Sequence, residues 1–323
     1  MSDPLALISV TTYQKSDALR TVLESLLDTG YDKVAKIHIA DDNAGARYQI
    51  TREGNPNHPF WKTKLGQQFD EYTMDSAVDV WEDMKGKFDN GLSISYGNEP
   101  RAGISVNKNR GIYYYLNKTQ APYLLLIDDD IRFIKPGLIE EWAEVLKANT
   151  NEGPGAKYSL DHLTGYWSDI DIDPDEWKDN FENGQSWSVS KKGWFDIFPV
   201  EALGEMVEWR KGCMGVSNFY TRKAVEAVQY YDLLPGKYGY EHSLHTSRVM
   251  LKVNNRSPQL FPIYDYSEYF FVGQAIPNNY SGTVEEAQKS DPKYQEIMNS
   301  FNFGLNLKQK NPGFDIKKET ILG

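Results

Sequence analysis

The chain of 323 residues reads as an α/β protein with a mostly parallel central sheet flanked by helices. Three observations predict this class. Strand-type and helix-type hydrophobic patterns alternate through the first half, which is how βαβ crossovers look in sequence. The strand candidates at residues 5–12 (LALISVTT) and 123–127 (YLLLI) are near-continuous apolar runs, as strands buried on both faces must be. Aspartates cluster directly after two strands, as Asp41-Asp42 and as Asp128-Asp129-Asp130, and the carboxyl ends of strands are where an open sheet gathers its ligands.

Each element follows from local pattern. After the first strand, Ser16 and Asp17 offer N-cap groups, and Leu19, Val22, Leu23, Leu26 and Leu27 recur at helical spacing until Gly30 stops them. Residues 36–40 (KIHIA) form a second short strand ending at Asp41-Asp42. Residues 44–90 are rich in Gly, Asn, Asp and Trp with weak periodicity, and read as an insertion holding one helix around residues 70–85. A third strand at 92–96 (LSISY), a helix over 105–116 after Gly103, and the fourth strand at 123–127 complete the repeat. A further helix over 136–148 carries Leu138, Ile139, Trp142, Val145 and Leu146.

Beyond Asn149 the composition shifts. Residues 150–215 carry many Trp, Asp and Gly, with strand-like pieces at 187–190 and 194–198, a pattern that suits an antiparallel region over a cleft. Helices are expected over 221–231 and 241–253, and the polar tail from Asn278 holds one more at 284–301.

Composition narrows the function classes. A hydrophobic content of 40% and a charged content of 25% are ordinary for a folded chain. A net charge of −11 disfavours nucleic acid as a partner without excluding a local basic groove. The single cysteine, Cys213, leaves no internal disulfide framework and suits a reducing, cytoplasmic setting. Residues 1–7 lack the basic start and apolar stretch of a signal peptide. The apolar run at 123–127 falls far short of the roughly 20 residues that span a bilayer, so no transmembrane segment is expected. Eight Trp and 21 Tyr are compatible with a carbohydrate cleft, although most must serve the core.

The aspartate clusters carry the chemistry. Carboxylates from neighbouring strand ends repel one another in a partly dry cleft, and a hard divalent cation with oxygen ligands would offset them, completing its shell with phosphate oxygens. The plainer alternative is a pair of solvated acidic turns.

The strings VTTYQKSDALRTVLESLL, ADDN, RAGISVNKNRGIYYYL and APYLLLIDDD, in that order, resemble family 2 glycosyltransferases of the GT-A fold. The resemblance covers residues 5–150 well and the rest loosely. It implies a Rossmann-like, mostly parallel central sheet with a smaller acceptor-side region and a helical C-terminal arm. The implied division is a nucleotide-sugar-binding half at 1–130, an acceptor-binding and catalytic half at 131–275, and an arm at 276–323. It further implies that Tyr13 flanks the nucleobase with Thr11 beside it, that Asp42 hydrogen-bonds a uracil-type imide, and that Lys108 and Asn109 begin the helix facing the donor. Asp128 and Asp130 match D-x-D, the first near ribose or metal and the second ligating Mn²⁺ or Mg²⁺; Asp129 is the variable middle position, counted with the donor-binding set. Glu241 matches the general base of an inverting transfer, although Tyr240 stands where the family has a second acid. His245 is a candidate third metal ligand. Gly212–Ser217 (GCMGVS), preceded by Trp209, resembles the segment lining the acceptor pocket.

The donor is then a nucleoside-diphosphate sugar, UDP-linked by resemblance, and the acceptor hydroxyl belongs to a polysaccharide, a protein, a small molecule or a hydroxylated DNA base. Two alternatives stand beside this reading. One is a binding protein that keeps the donor cleft without catalysis. The other is a sugar-1-phosphate nucleotidyltransferase, disfavoured because the turn TTYQKSD holds none of the glycines such enzymes use around triphosphate.

Overall fold

The structure, a computed structural model, describes residues 3–56, 58–149, 161–165, 198–202, 205–210, 217–233, 241–253, 261–264, 270–272 and 308–323. In chain order the first elements are β1 (Ala6–Thr12), α1 (Ser16–Asp28), β2 (Ala35–Asp41), β3 (Tyr48–Thr51), β4 (Glu71–Met74), α2 (Ala77–Met84), β5 (Leu92–Tyr96), α3 (Ile104–Lys118) and β6 (Tyr123–Asp128). Then come β7 (Ile131–Phe133), α4 (Leu138–Asn149), β8 (His162–Gly165), β9 (Phe198–Ala202), β10 (Glu205–Arg210) and β11 (Ser217–Thr221). The remainder are α5 (Arg222–Val228), α6 (Glu241–Lys252), β12 (Phe261–Tyr264), β13 (Phe270–Val272) and β14 (Thr320–Leu322).

Ten strands share one sheet in the order β14-β5-β2-β1-β6-β11-β8-β12-β10-β9. The segment β5-β2-β1-β6 is parallel throughout. The α/β class, with a mostly parallel centre and helices on both faces, is what the sequence predicts.

Alternation along the strands builds two cores. Ala6, Ile8 and Val10 of β1 pack with Leu125 and Ile127 of β6 and with the apolar stripes of α1, α2 and α4. Leu7, Leu124 and Leu126 point the other way, into a second core with α3, α5 and α6. α3 lies tightly on β1, because a Cβ at Gly111 would overlap the hydroxyl of Ser9.

Local differences from expectation have physical causes. The N-cap of α1 is Lys15 and makes no side-chain cap bond; Ser16 is already helical, and its N–H donates to the Tyr48 hydroxyl at 3.3 Å. The insertion after β2 contains, besides α2, the antiparallel pair β3–β4, with a small core of Tyr48, Ile50, Trp61 and Met74. α2 itself starts on a capping box, Ser76 with Asp79. β14 pairs antiparallel with β5 at the sheet edge.

The strand-like pieces expected at 187–190 and 194–197, residues 212–216 with Cys213, Tyr240 and the helix expected at 284–301 lie outside the described residues, while Trp209 lies in β10. Among the described residues no helix is long and apolar enough to cross a membrane.

Candidate functional site

Strand order reverses beside β1: β2 and β5 lie on one side, β6 on the other. At such a switch point the loops leaving two neighbouring strands diverge to opposite faces and open a crevice at their carboxyl ends. Here that crevice is a cavity of about 530 Å³, lined among others by Thr11, Tyr13, Asp42, Asp128, Asp129 and Asp130. Six of the sequence-predicted site residues thus meet around one space.

The carboxylates differ in what they already hold. Asp128 Oδ1 accepts from the Thr11 hydroxyl at 2.7 Å and faces Lys108 Nζ at 3.7 Å. Asp129 is buried, accepting from Thr12 Oγ1 at 2.7 Å and from Lys15 Nζ at 3.2 Å. Asp130 Oδ1 is buried without a hydrogen-bond partner among the described residues. Burial, reinforced by the charges of Asp128 and Asp129, pushes the Asp130 carboxyl up to about 7.

Asp42 is committed to the loop before α3. It accepts from Ala102 N and Gly103 N, both at 2.9 Å, and from the Arg110 guanidinium at 3.2 Å. Burial still raises its pKa above the usual carboxylate value, against these bonds. Tyr13 has the Arg101 guanidinium over its ring at 5.6 Å. Gln14 and Arg101, both lining the cavity, hold positive φ of 52° and 62°, a backbone state that non-glycine residues adopt at a cost.

Lys108 and Glu241 lie next to this space without lining it. Lys108 Nζ donates to Glu241 Oε1 at 3.4 Å, and both side chains are buried. Burial raises the Glu241 pKa and the charges of Lys108 and His242 lower it; the second effect wins, and the carboxyl is held well below its ordinary value. Its Oε2 is buried with no partner among the described residues.

Two of the expected site residues are engaged within the protein. The Asn109 amide donates to the carbonyls of Tyr231 at 3.1 Å and Pro312 at 3.0 Å, and its Oδ1 accepts from Tyr231 N at 2.7 Å. It fastens α3 to the segments beside it. Both ring nitrogens of His245 meet partners within the protein. Its Nε2 faces the Gln229 carbonyl at 2.9 Å and so carries the proton; Nδ1 meets the Tyr220 hydroxyl at 3.2 Å, and the ring stacks on Tyr231. Burial lowers its pKa to about 3, keeping it neutral.

Several site groups escaped the sequence reading. Arg110 bridges Asp42 to Glu319, donating to Glu319 Oε2 at 2.7 Å. Asn107 Nδ2 donates to the Thr12 carbonyl at 3.1 Å. Lys15 sits against Asp129. The N-K-N-R string places all four side chains at the helix start, and only the helical angle decides which of them face the cleft.

The site fits a divalent cation. Asp128, Asp129, Asp130 and Glu241 set four carboxylates against the two ammonium groups of Lys15 and Lys108, and the orphaned Asp130 oxygen is an unused ligand. No group of three or more His, Cys, Asp or Glu side chains forms a metal cage among the described residues. Protein oxygens from Asp130 and Asp128 would therefore share such an ion with ligand oxygens.

No protein-family model and no curated protein matches the chain. Solved structures similar to it include two TarS chains of S. aureus, one covering residues 1–349, at 13% and 12% identity and a TM-score of 0.49 each. They align with 83% and 91% of this chain, which spans 60% and 42% of theirs. The mannosyltransferase PcManGT of Pyrobaculum calidifontis, solved with GDP-Man and Mn²⁺, aligns at 11% identity with a TM-score of 0.44, over 94% of this chain and 66% of its own.

Proposed function

We propose that the chain is a glycosyltransferase of the GT-A fold, related to family 2, that moves a sugar from a UDP-type nucleotide sugar to an acceptor hydroxyl with inversion and with Mn²⁺ or Mg²⁺. One observation carries this reading: Tyr13, Asp42 and the Asp128–Asp130 cluster line a single cavity at the strand-order reversal. Three of the four motifs quoted from the sequence supply these residues, in the same order.

Within this reading Tyr13 and Asp42 border the nucleoside, and Asp128 and Asp130 hold the metal. The metal supplies charge neutralisation for the departing diphosphate. Glu241, paired with Lys108 through Oε1, is the carboxylate assigned here as the proton acceptor, through its Oε2, unpartnered among the described residues. The acceptor oxygen forms a bond to the anomeric carbon as its proton passes to Glu241. The bond from that carbon to the phosphate oxygen breaks, and its electron pair leaves with the nucleoside diphosphate. Retention of Thr11 on Asp128 and of Lys15 on Asp129 fixes the acidic loop before any ligand arrives.

A second reading is favoured by the Lys108–Glu241 pair: a nucleotide-sugar-binding protein in which Glu241 is solely a counter-ion. Incubation of the protein with UDP-glucose and Mn²⁺, and with a panel of other nucleotide sugars, separates the two. Metal-dependent release of nucleoside diphosphate supports the transferase. Binding without release supports the binder, and absence of any binding refutes both.

A further inference from the structure

The acidic strand ends form only one side of the cavity. The other is built by the insertion between β2 and α2, through Tyr48, Gln49, Ile50, Thr51, Asn55 and His58. The two sides differ in chemistry: aspartates with Lys15 on one, uncharged hydrogen-bonding groups on the other.

Asn55 and His58 are each 7% exposed, so the little surface they keep is spent on this space. The Asn55 backbone is fully used. Its N–H donates to the Thr51 carbonyl at 2.9 Å, and its own carbonyl accepts from His58 N at 3.2 Å and from Trp61 Nε1 at 2.7 Å. Its side-chain amide makes no hydrogen bond to the described residues, which leaves a donor and an acceptor for a ligand. His58 Nδ1 accepts from Phe60 N at 3.2 Å. That bond fixes the neutral tautomer with its proton on Nε2, a donor with no partner among the described residues. Burial lowers the pKa of His58 despite nearby Asp17, in keeping with a neutral ring.

Both groups stand on a rigid support. Trp61, whose indole N–H grips Asn55, belongs to the small core with Tyr48, Ile50 and Met74, and the Arg52 guanidinium lies 4.9 Å over its ring. Their unpaired polar atoms open into the cavity, where a ligand group of matching donor and acceptor pattern would replace water.

We propose that Asn55 and His58 form a specificity wall that hydrogen-bonds the uncharged part of the donor, base or sugar hydroxyls, opposite the aspartates that handle its diphosphate. This rests on the nucleotide-sugar reading above. A site built to hydrogen-bond a ligand group discriminates strongly against analogues lacking it, because its own polar atoms are then stranded.

The test measures binding of UDP, GDP, ADP, UDP-glucose, GDP-mannose and Mn²⁺-pyrophosphate to the unaltered chain, Asn55→Ala and His58→Ser. Serine keeps the cap acceptor for Phe60 N but is too short to reach the ligand, so folding of this variant is preserved. Each variant should weaken the preferred nucleotide ligand by about ten-fold or more, with pyrophosphate unchanged. A loss already present with the bare diphosphate assigns the contact to the nucleoside; a loss only with the sugar conjugate assigns it to the sugar. Nucleotide binding that both variants leave unchanged, or pyrophosphate weakened equally, overturns the wall alone. An unaltered chain that binds none of the nucleotides overturns the parent reading and the wall with it.

Discussion

The ammonium of Lys108 lies 3.4 Å from the carboxylate of Glu241, joining α3 to α6 inside the protein. Lys108 is also 3.7 Å from Asp128, so one buried cation serves two acids from different elements. Breaking a buried pair leaves an uncompensated charge, at a cost of about 3–5 kcal/mol. Lys108→Met is therefore expected to lower the unfolding free energy by about that much in urea titration, and Lys108→Met with Glu241→Met by distinctly less. A double variant that loses the sum of the Lys108→Met and Glu241→Met losses would show the pair to be uncoupled.

Glu241→Gln removes the proposed proton acceptor while keeping shape. Nucleotide affinity should stay within about three-fold, whereas sugar transfer should fall by about 10²-fold or more. Unimpaired turnover would assign the base elsewhere.

Asp130 has the one orphaned oxygen in the acidic loop. With Mn²⁺ at about 100 times its Kd, the native chain should gain about 2.7 kcal/mol of stability by mass action, seen as a raised melting temperature. Asp130→Asn should abolish this shift. Retention of the full shift in the variant would place the ion at other ligands.

The buried histidines predict acid lability. His38 is held between Ser93 Oγ and Ser95 Oγ, each at 2.9 Å, and burial lowers its pKa to about 3. A group depressed in the folded state adds stability above its unfolded pKa of about 6.5; that stability is lost as pH falls from there toward 3. His38 should therefore contribute about 2 kcal/mol less at pH 5 than at pH 7. Asp41 and Asp130, raised to about 6 and about 7 by burial, slope the opposite way. The measurement is thus a difference: the pH 5 to pH 7 change in urea midpoint should be smaller for His38→Gln than for the native chain. Parallel profiles would show that His38 titrates normally.

Much of this architecture is legible in sequence because buried parallel strands leave unbroken apolar runs. YLLLI and LALISVTT are recognisable without context, and so are the acids that follow them. Residues 48–74 are not, because β3 and β4 are four residues each and separated by a polar stretch with no tight-turn signal. Helix orientation is the other blind spot. Lys108 and Asn109 are neighbours, yet about 100° of rotation sends one toward Asp128 and the other toward Tyr231. His245 reads as a ligand by residue type alone; the carbonyl of Gln229 and the hydroxyl of Tyr220 that occupy it come from elsewhere in the chain. Arg110, the hinge between Asp42 and Glu319, needs a partner 209 positions away to be noticed.

β14 covers the outer edge of β5 over Ile94, Ser95 and Tyr96. Unpaired edges are templates on which foreign strands can grow, and β5 is flanked on its inner side by the sheet that carries the cleft. Residues 320–322 thus pair the outer edge of β5 and leave the three-residue β14 as the sheet's edge. Removing them should leave the acidic loop chemically intact while turning a monodisperse preparation into one that accumulates β-rich aggregates on standing.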